Sequence, residues 1–198
     1  MDKELIQIIR SKKPCTLALT VINIAVFIVL SFMGNTENAS FMQSHGACWL
    51  PAIREGEYWR LITSMFLHFG AVHLFYNMLC LFTLGDLYER VVGPVRFMII
   101  YLFGGLVGNL VSVVLQMRSG SYAVSAGASG AIFAVIGGLL YVVIRRKGRL
   151  GNISLNRMLL MVLLMVAQGF FEKGTDNAAH IGGVVAGFIL CVVIYHGE

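Results

Sequence analysis

Three stretches of this chain carry the residue types that acyl transfer needs. The first is Ser125-Ala126-Gly127-Ala128-Ser129-Gly130, a glycine-rich loop that runs into an apolar segment. That junction puts Ser129 at or near the first turn of a helix. Backbone N–H groups there have no internal partner and can face a developing oxyanion. The second is Ala179-His180-Ile181-Gly182-Gly183, which opens the last apolar run. Gly183 and Gly187 follow His180 at i+3 and i+7, on one helical face. At matched depth, an imidazole is a general base for a serine. The third is the stretch from His68 to Asn77, in which His73 and Asn77 are spaced i, i+4 and share a face. Both can donate hydrogen bonds, as an oxyanion hole requires.

Each motif also has a structural explanation. Gly130, Ala134 and Gly138 repeat every four residues, a stripe that lets helices pack closely. A lone buried histidine is more often hydrogen-bonded for structure than catalytic. A zinc site fits poorly, because His68 and His73 are five apart with no Glu between them, unlike the i, i+4 pair of a zinc-protease helix. No metal or other cofactor is expected. A Ser–Lys pair is disfavoured because Lys147 and Lys173 fall in connections between apolar runs. Asp176 stands four residues before His180 and can orient it as a third triad member. Its place at the helix start equally suits an N-cap. The combination expected from the residues is a Ser129–His180 dyad.

Positioning these groups requires elements suited to an apolar solvent. The chain has 198 residues, 58% hydrophobic and 13% charged, with a mean hydropathy of +0.79. A soluble domain carries roughly 25% charged residues, so much of this surface faces something other than water. Apolar runs fall at about 17–33, 61–84, 95–117, 129–144, 157–171 and 178–195. A bilayer core of ~30 Å takes about 20 residues per helix, and unpaired strands are excluded from lipid. The expectation is an all-α membrane protein, a single domain over 1–198 with six transmembrane helices and a long outer loop at 34–60. Leu17–Met33 follows Arg10, Lys12 and Lys13 but is long for a signal core. It reads as a retained first span.

Charge sets the orientation. With the N-terminus inside, eleven of the fifteen basic residues are internal, including Lys3, Arg10, Lys12, Lys13, Arg90, Arg96, Arg157 and the Arg145–Arg149 cluster. Arg54, Arg60, Arg118 and Lys173 lie outside, while the ten acidic residues divide evenly. Such a bias in Lys and Arg places both termini in the cytoplasm. The net charge of +5 is therefore a membrane signal, and no nucleic-acid partner is expected. Trp49, Pro51, Tyr58 and Trp59 suit the outer loop to the headgroup region. The four cysteines suggest buried free thiols rather than disulfides.

Trp59-Arg60, His73-x-x-x-Asn77, Gly127-Ala128-Ser129-Gly130 and Ala179-His180 with Gly183-x-x-x-Gly187, in this order, resemble the rhomboid intramembrane proteases. The likeness covers nearly the whole chain. It implies a six-helix bundle with the dyad in a water-filled cavity open to the outside. It further implies Ser129 as nucleophile, His180 as base, and an oxyanion held by His73, Asn77 and the backbone around Ala128 and Ser129. Gly127, Phe133 and Gly183 would support the site. Phe133 stands where the family often has a tyrosine stacked on the imidazole, so a hydroxyl is missing here. Trp59 and Arg60 match a structural loop pair, and Glu89 matches an acidic residue at the inner end of the second span.

The resulting expectation is an endopeptidase that cleaves transmembrane segments near their outer ends, through an acyl-enzyme, in a bacterial plasma membrane. Substrate helices would approach near the second and fifth spans, and the partners are membrane proteins and lipid. Two rivals make different demands. A catalytically dead relative that escorts clients would lack the serine or histidine, and both are present. A channel or transporter would spread polar residues through the membrane depth, whereas here they gather in the outer half.

Overall fold

The computed structural model describes residues 13–150, 153–171 and 174–196. Lys3, Arg10, Lys12 and Lys173 of the charge count lie outside the described residues. Helix α1 (Pro14–Met33) begins with a proline, whose missing N–H is harmless in a first turn. Its free N–H groups find an acceptor elsewhere in the chain. Glu89, 1% exposed, accepts from the Cys15 N–H at 3.1 Å, the Thr16 N–H at 2.8 Å and the Thr16 hydroxyl at 2.8 Å. Asp86 accepts from the Lys13 N–H at 2.8 Å. Two carboxylates thus complement the positive end of the helix.

The long connection after α1 folds into α2 (Ala39–Ser44), α3 (Leu50–Arg54) and α4 (Arg60–Thr63), the last continued by a 3-10 turn over Ser64–Phe66. Buried Arg60 ties them together. Its Nη1 donates to the carbonyls of Gln43 at 2.5 Å and Ala47 at 3.1 Å, and its Nε to Glu57 at 2.6 Å. The guanidinium lies 4.7 Å from the centroid of the Trp59 ring. Cys48 is buried beneath this layer, and burial pushes its thiol up to about 12. The four cysteines are free thiols.

Helix α5 (Gly70–Val92) departs from the expected run at both ends. The apolar pattern starting at residue 61 predicts one continuous helix over 61–84. The chain instead turns extended at Leu67 and starts again at Gly70, whose φ of +75° favours glycine. At the far end the helix continues to Val92, where Gly93, with φ +82°, and Pro94 stop it. Between Leu81 and Gly85 it widens into a π-helical turn, and Thr16 of α1 packs against Gly85.

Then follow α6 (Pro94–Ser119), α7 (Ser129–Arg145), a hairpin of β1 (Arg149–Leu150) and β2 (Ile153–Ser154), α8 (Leu155–Phe171) and α9 (Asn177–Ile194). Among the described residues, α1, α5, α6 and α9 are long and apolar enough to cross a membrane. Helices α7 and α8 are apolar but shorter, at 17 residues each. The protein is thus mostly helical, with four candidate crossings rather than six of full length. The shortness of α7 goes with its position at the centre, where Gly130 to Leu139 are buried without interruption.

Small residues bring α6, α7 and α9 together. A Cβ at Gly183 would collide with the Gly130 carbonyl, one at Gly187 with the Ala134 carbonyl, and one at Gly137 with the Val184 carbonyl. The expected stripe of Gly130, Ala134 and Gly138 divides. Its first two members face α9, whereas Gly138 makes room for the hydroxyl of Tyr88 on α5, which donates to Cys191 Sγ at 3.1 Å. The cause is helical geometry: each step of four residues turns about 40° past a full turn, so two steps turn the face by about 80°.

Candidate active site

Ser129 opens α7, and its Oγ lies 2.8 Å from Nε2 of His180, the fourth residue of α9. The loop before Ser129 is fixed from outside. Ser125 and Cys48 exchange backbone hydrogen bonds at 2.9 and 2.8 Å, and the Gly127 N–H donates to the Ser64 carbonyl at 2.9 Å. Gly127 adopts φ +146°, a conformation that favours glycine. As the first residue of its helix, Ser129 has a backbone N–H without an intrahelical acceptor. Its side chain is only half-buried and can be reached.

The imidazole of His180 is 8% exposed and held from two sides. Phe133, one turn after Ser129, stacks on it with ring centroids 4.2 Å apart and an interplanar angle of 14°. Beyond Gly183, the close contact with α7 fixes the depth of the histidine. Asp176 makes no hydrogen bond to Nδ1 of the ring. One of its oxygens caps α9 by accepting from the Ala179 N–H at 2.9 Å, and the other accepts from the Ser112 hydroxyl on α6 at 2.6 Å. His180 Nδ1 has no hydrogen-bond partner. The arrangement is a pair, with the aspartate holding the helix start.

His73 reaches the same place from α5. A Cβ on Gly127 would come within 3.0 Å of His73 Nε2 and 3.6 Å of Ser129 Oγ, so the two side chains flank one point. Asn77, buried below it, turns its amide to the His73 carbonyl at 2.9 Å. The Ala128 N–H is directed elsewhere, donating to His68 Nε2 at 3.3 Å. The sequence therefore gathers Ser129, His180, His73, Phe133, Gly127 and Gly183 at one spot, with Asn77 behind and the Ala128 amide turned aside.

Two positioning contacts escape sequence reasoning. His68, 1% exposed, holds the serine loop through Ala128 and packs its ring edge-on against His73, 5.2 Å between centroids. Ser112 anchors Asp176. A signal for the second existed in the spacing of Asn109, Ser112 and Gln116 at i, i+3 and i+7, a polar face in the second half of a largely apolar helix. Asn109 also uses that face, donating to the Leu61 carbonyl at 2.8 Å.

Fold and site define a class of protein: apolar helical bundles with a serine–imidazole pair between two helix starts. The family model described as the Rhomboid domain matches residues 55–197, and the chain belongs to the rhomboid family. It is 37% identical over 174 residues to Rhomboid protease GluP of Bacillus subtilis (strain 168), covering 87% of this chain and 33% of that protein. Putative rhomboid protease YdcA of the same strain is 33% identical over 138 residues, covering 70% and 68%. RHOMBOID-like protein 5 of Arabidopsis thaliana is 38% identical over 151 residues, covering 75% and 48%. The chain thus spans about a third of GluP and about half of the plant relative.

Proposed function

We propose that this protein is an intramembrane serine endopeptidase that cleaves transmembrane segments of other membrane proteins near their outer ends. The observation that carries the proposal is the 2.8 Å contact of Ser129 Oγ with His180 Nε2 at the starts of two apolar helices. His180 Nε2 takes the hydroxyl proton as Ser129 Oγ attacks the scissile carbonyl carbon. The oxyanion meets His73 and the Ser129 N–H, while the Asn77 amide, which gives one hydrogen to the His73 carbonyl, keeps its second for the same pocket. Collapse breaks the C–N bond, and His180 returns the proton to the leaving amine. Water then attacks the acyl-enzyme with His180 again as base, releasing the new carboxylate and restoring Ser129.

In this reading α1, α5, α6, α7, α8 and α9 are six spans, with both termini in the cytoplasm of a bacterial cell. Glycine-mediated packing encloses α7, so its 17 residues suffice. Substrate enters beside α8, where only Met158 and Gly169 are buried among the described residues. The substrate's helix must unwind at the cut, since a helical carbonyl is hydrogen-bonded and shielded. The support comes from the dyad geometry, the family membership and the gathering of donors around one point.

The test compares wild type with Ser129→Ala and His180→Ala in liposomes, using a single-span substrate with a small residue near its outer end. Wild type cuts it and both variants do not, a loss of at least about 10³-fold for either. Cleavage that survives in Ser129→Ala would sink the dyad.

A further inference from the structure

The end of α7 carries a charge array that the proteolytic chemistry does not use. Arg145, Arg146, Lys147 and Arg149 lie within five residues and are exposed. No acidic residue occurs between Glu89 and Glu172, so the sequence offers these cations no nearby counter-ion. None of the four joins an ion pair among the described residues. Nor are their side chains needed to close the helix. The N–H groups of Arg146, Lys147 and Gly148 donate to the carbonyls of Val142, Ile144 and Val143 at 3.0, 3.1 and 2.9 Å.

The backbone adds a second observation. Lys147 has φ +54°, and among the described residues it is the one non-glycine with positive φ. A helix end of this shape ordinarily takes glycine or asparagine. A cation stands here at a conformational cost, which points from an outlier to a use for the charge. The array is also rigid. Leu150 is buried in the core, β1 pairs with β2, and the Leu155 N–H donates to the Gly148 carbonyl at 2.9 Å. Ile144, 45% exposed, places apolar surface directly beside the cations.

We propose that the Arg145–Arg149 turn is a docking surface for the phosphodiester headgroups of anionic membrane lipids. Four cations without an ion-pair partner among the described residues, beside the exposed Ile144, match a headgroup above acyl chains, and clusters of this size at the cytoplasmic end of a span attract anionic lipid. The inference rests on the membrane-spanning reading but is independent of the dyad. Each cation near such a surface contributes about fivefold in affinity.

The experiment uses the full chain in detergent micelles, titrated with phosphatidylglycerol or phosphatidylcholine. Bound lipid is counted by native mass spectrometry and Tm is followed in parallel. Wild type is expected to retain phosphatidylglycerol over phosphatidylcholine. The variant with all four cations changed to Gln is expected to lose that preference by more than about 100-fold. Lys147→Gly guards against misfolding: relief of the left-handed backbone raises its Tm in phosphatidylcholine while its phosphatidylglycerol affinity falls about fivefold. Equal retention of the two lipids by wild type, or equal phosphatidylglycerol affinity in wild type and Lys147→Gly, overturns the proposal. So does competition by soluble glycerol phosphate as strong as that by the lipid, which would mark a site for free phosphate instead. Cleavage assays on the same samples report on Ser129 separately.

Discussion

At the scale of the residue, the site consists of groups whose roles follow from their immediate surroundings. Phe133 covers one face of the His180 ring and offers no hydrogen bond, so in the proposed mechanism its part is to fix the plane in which Nε2 meets Ser129 Oγ. Stacked aromatic pairs contribute about 0.5–1.5 kcal/mol beyond burial. Phe133→Ala is therefore expected to lower the cleavage rate about threefold to tenfold, while Phe133→Tyr stays close to wild type. Steady-state cleavage in detergent checks this, and an unchanged rate for Phe133→Ala would remove the ring from the mechanism. The approach of Ser129 and His180 was legible because local rules place them, a helix start and a matched depth, whereas Phe133 came only from the resemblance to the family. His68 was not legible, because its partner, the Ala128 N–H, lies 60 residues away in sequence and no local pattern links them.

At the scale of the element, glycine decides how closely helices approach and therefore whether serine and histidine meet. Gly187 of α9 rests against the Ala134 carbonyl of α7, with no room for a methyl group between two backbones. Backbone cannot rotate aside as a side chain can. Gly187→Ala should cost about 1–3 kcal/mol and push α9 outward, lowering Tm and cleavage together. Thermal unfolding in detergent reads the first effect, and an unaltered Tm would show that the helices have slack. The pairing of the Gly183 and Gly187 face with α7 was legible from periodicity. The separate fate of Gly138 was not, since a four-residue repeat drifts around the helix and Tyr88 claims the last position. The break before α5 was equally hidden. The residues of 61–66 resemble those of a span, and the extended backbone at Leu67 and Phe69 with the left-handed turn at Gly70 separates them from α5.

At the scale of the whole molecule, the question is what holds α1 to the rest. Composition revealed a helical bundle in an apolar solvent but not the hydrogen bonds that join its parts. Lipid is as apolar as leucine, so burial gives little drive for one helix to pack on another, and polar contacts matter more. Helix α1 has five buried residues, Thr16, Leu19, Thr20, Asn23 and Leu30, three of them polar. Its firmest link is Glu89 near the C-terminal end of α5, which satisfies two backbone N–H groups and the Thr16 hydroxyl. Glu89→Ala strands those donors, and buried unsatisfied groups cost about 1–3 kcal/mol each. The expected outcome is a Tm well below wild type and faster trypsin cleavage near Lys13. Glu89→Gln, which still accepts through one oxygen, should fall between them. A Glu89→Ala variant that melts with wild type would mean that the apolar face of α1 alone holds it in place. The proposed active site would then be insulated from the first helix, because Ser129 and His180 reside on α7 and α9, which meet each other directly through glycine.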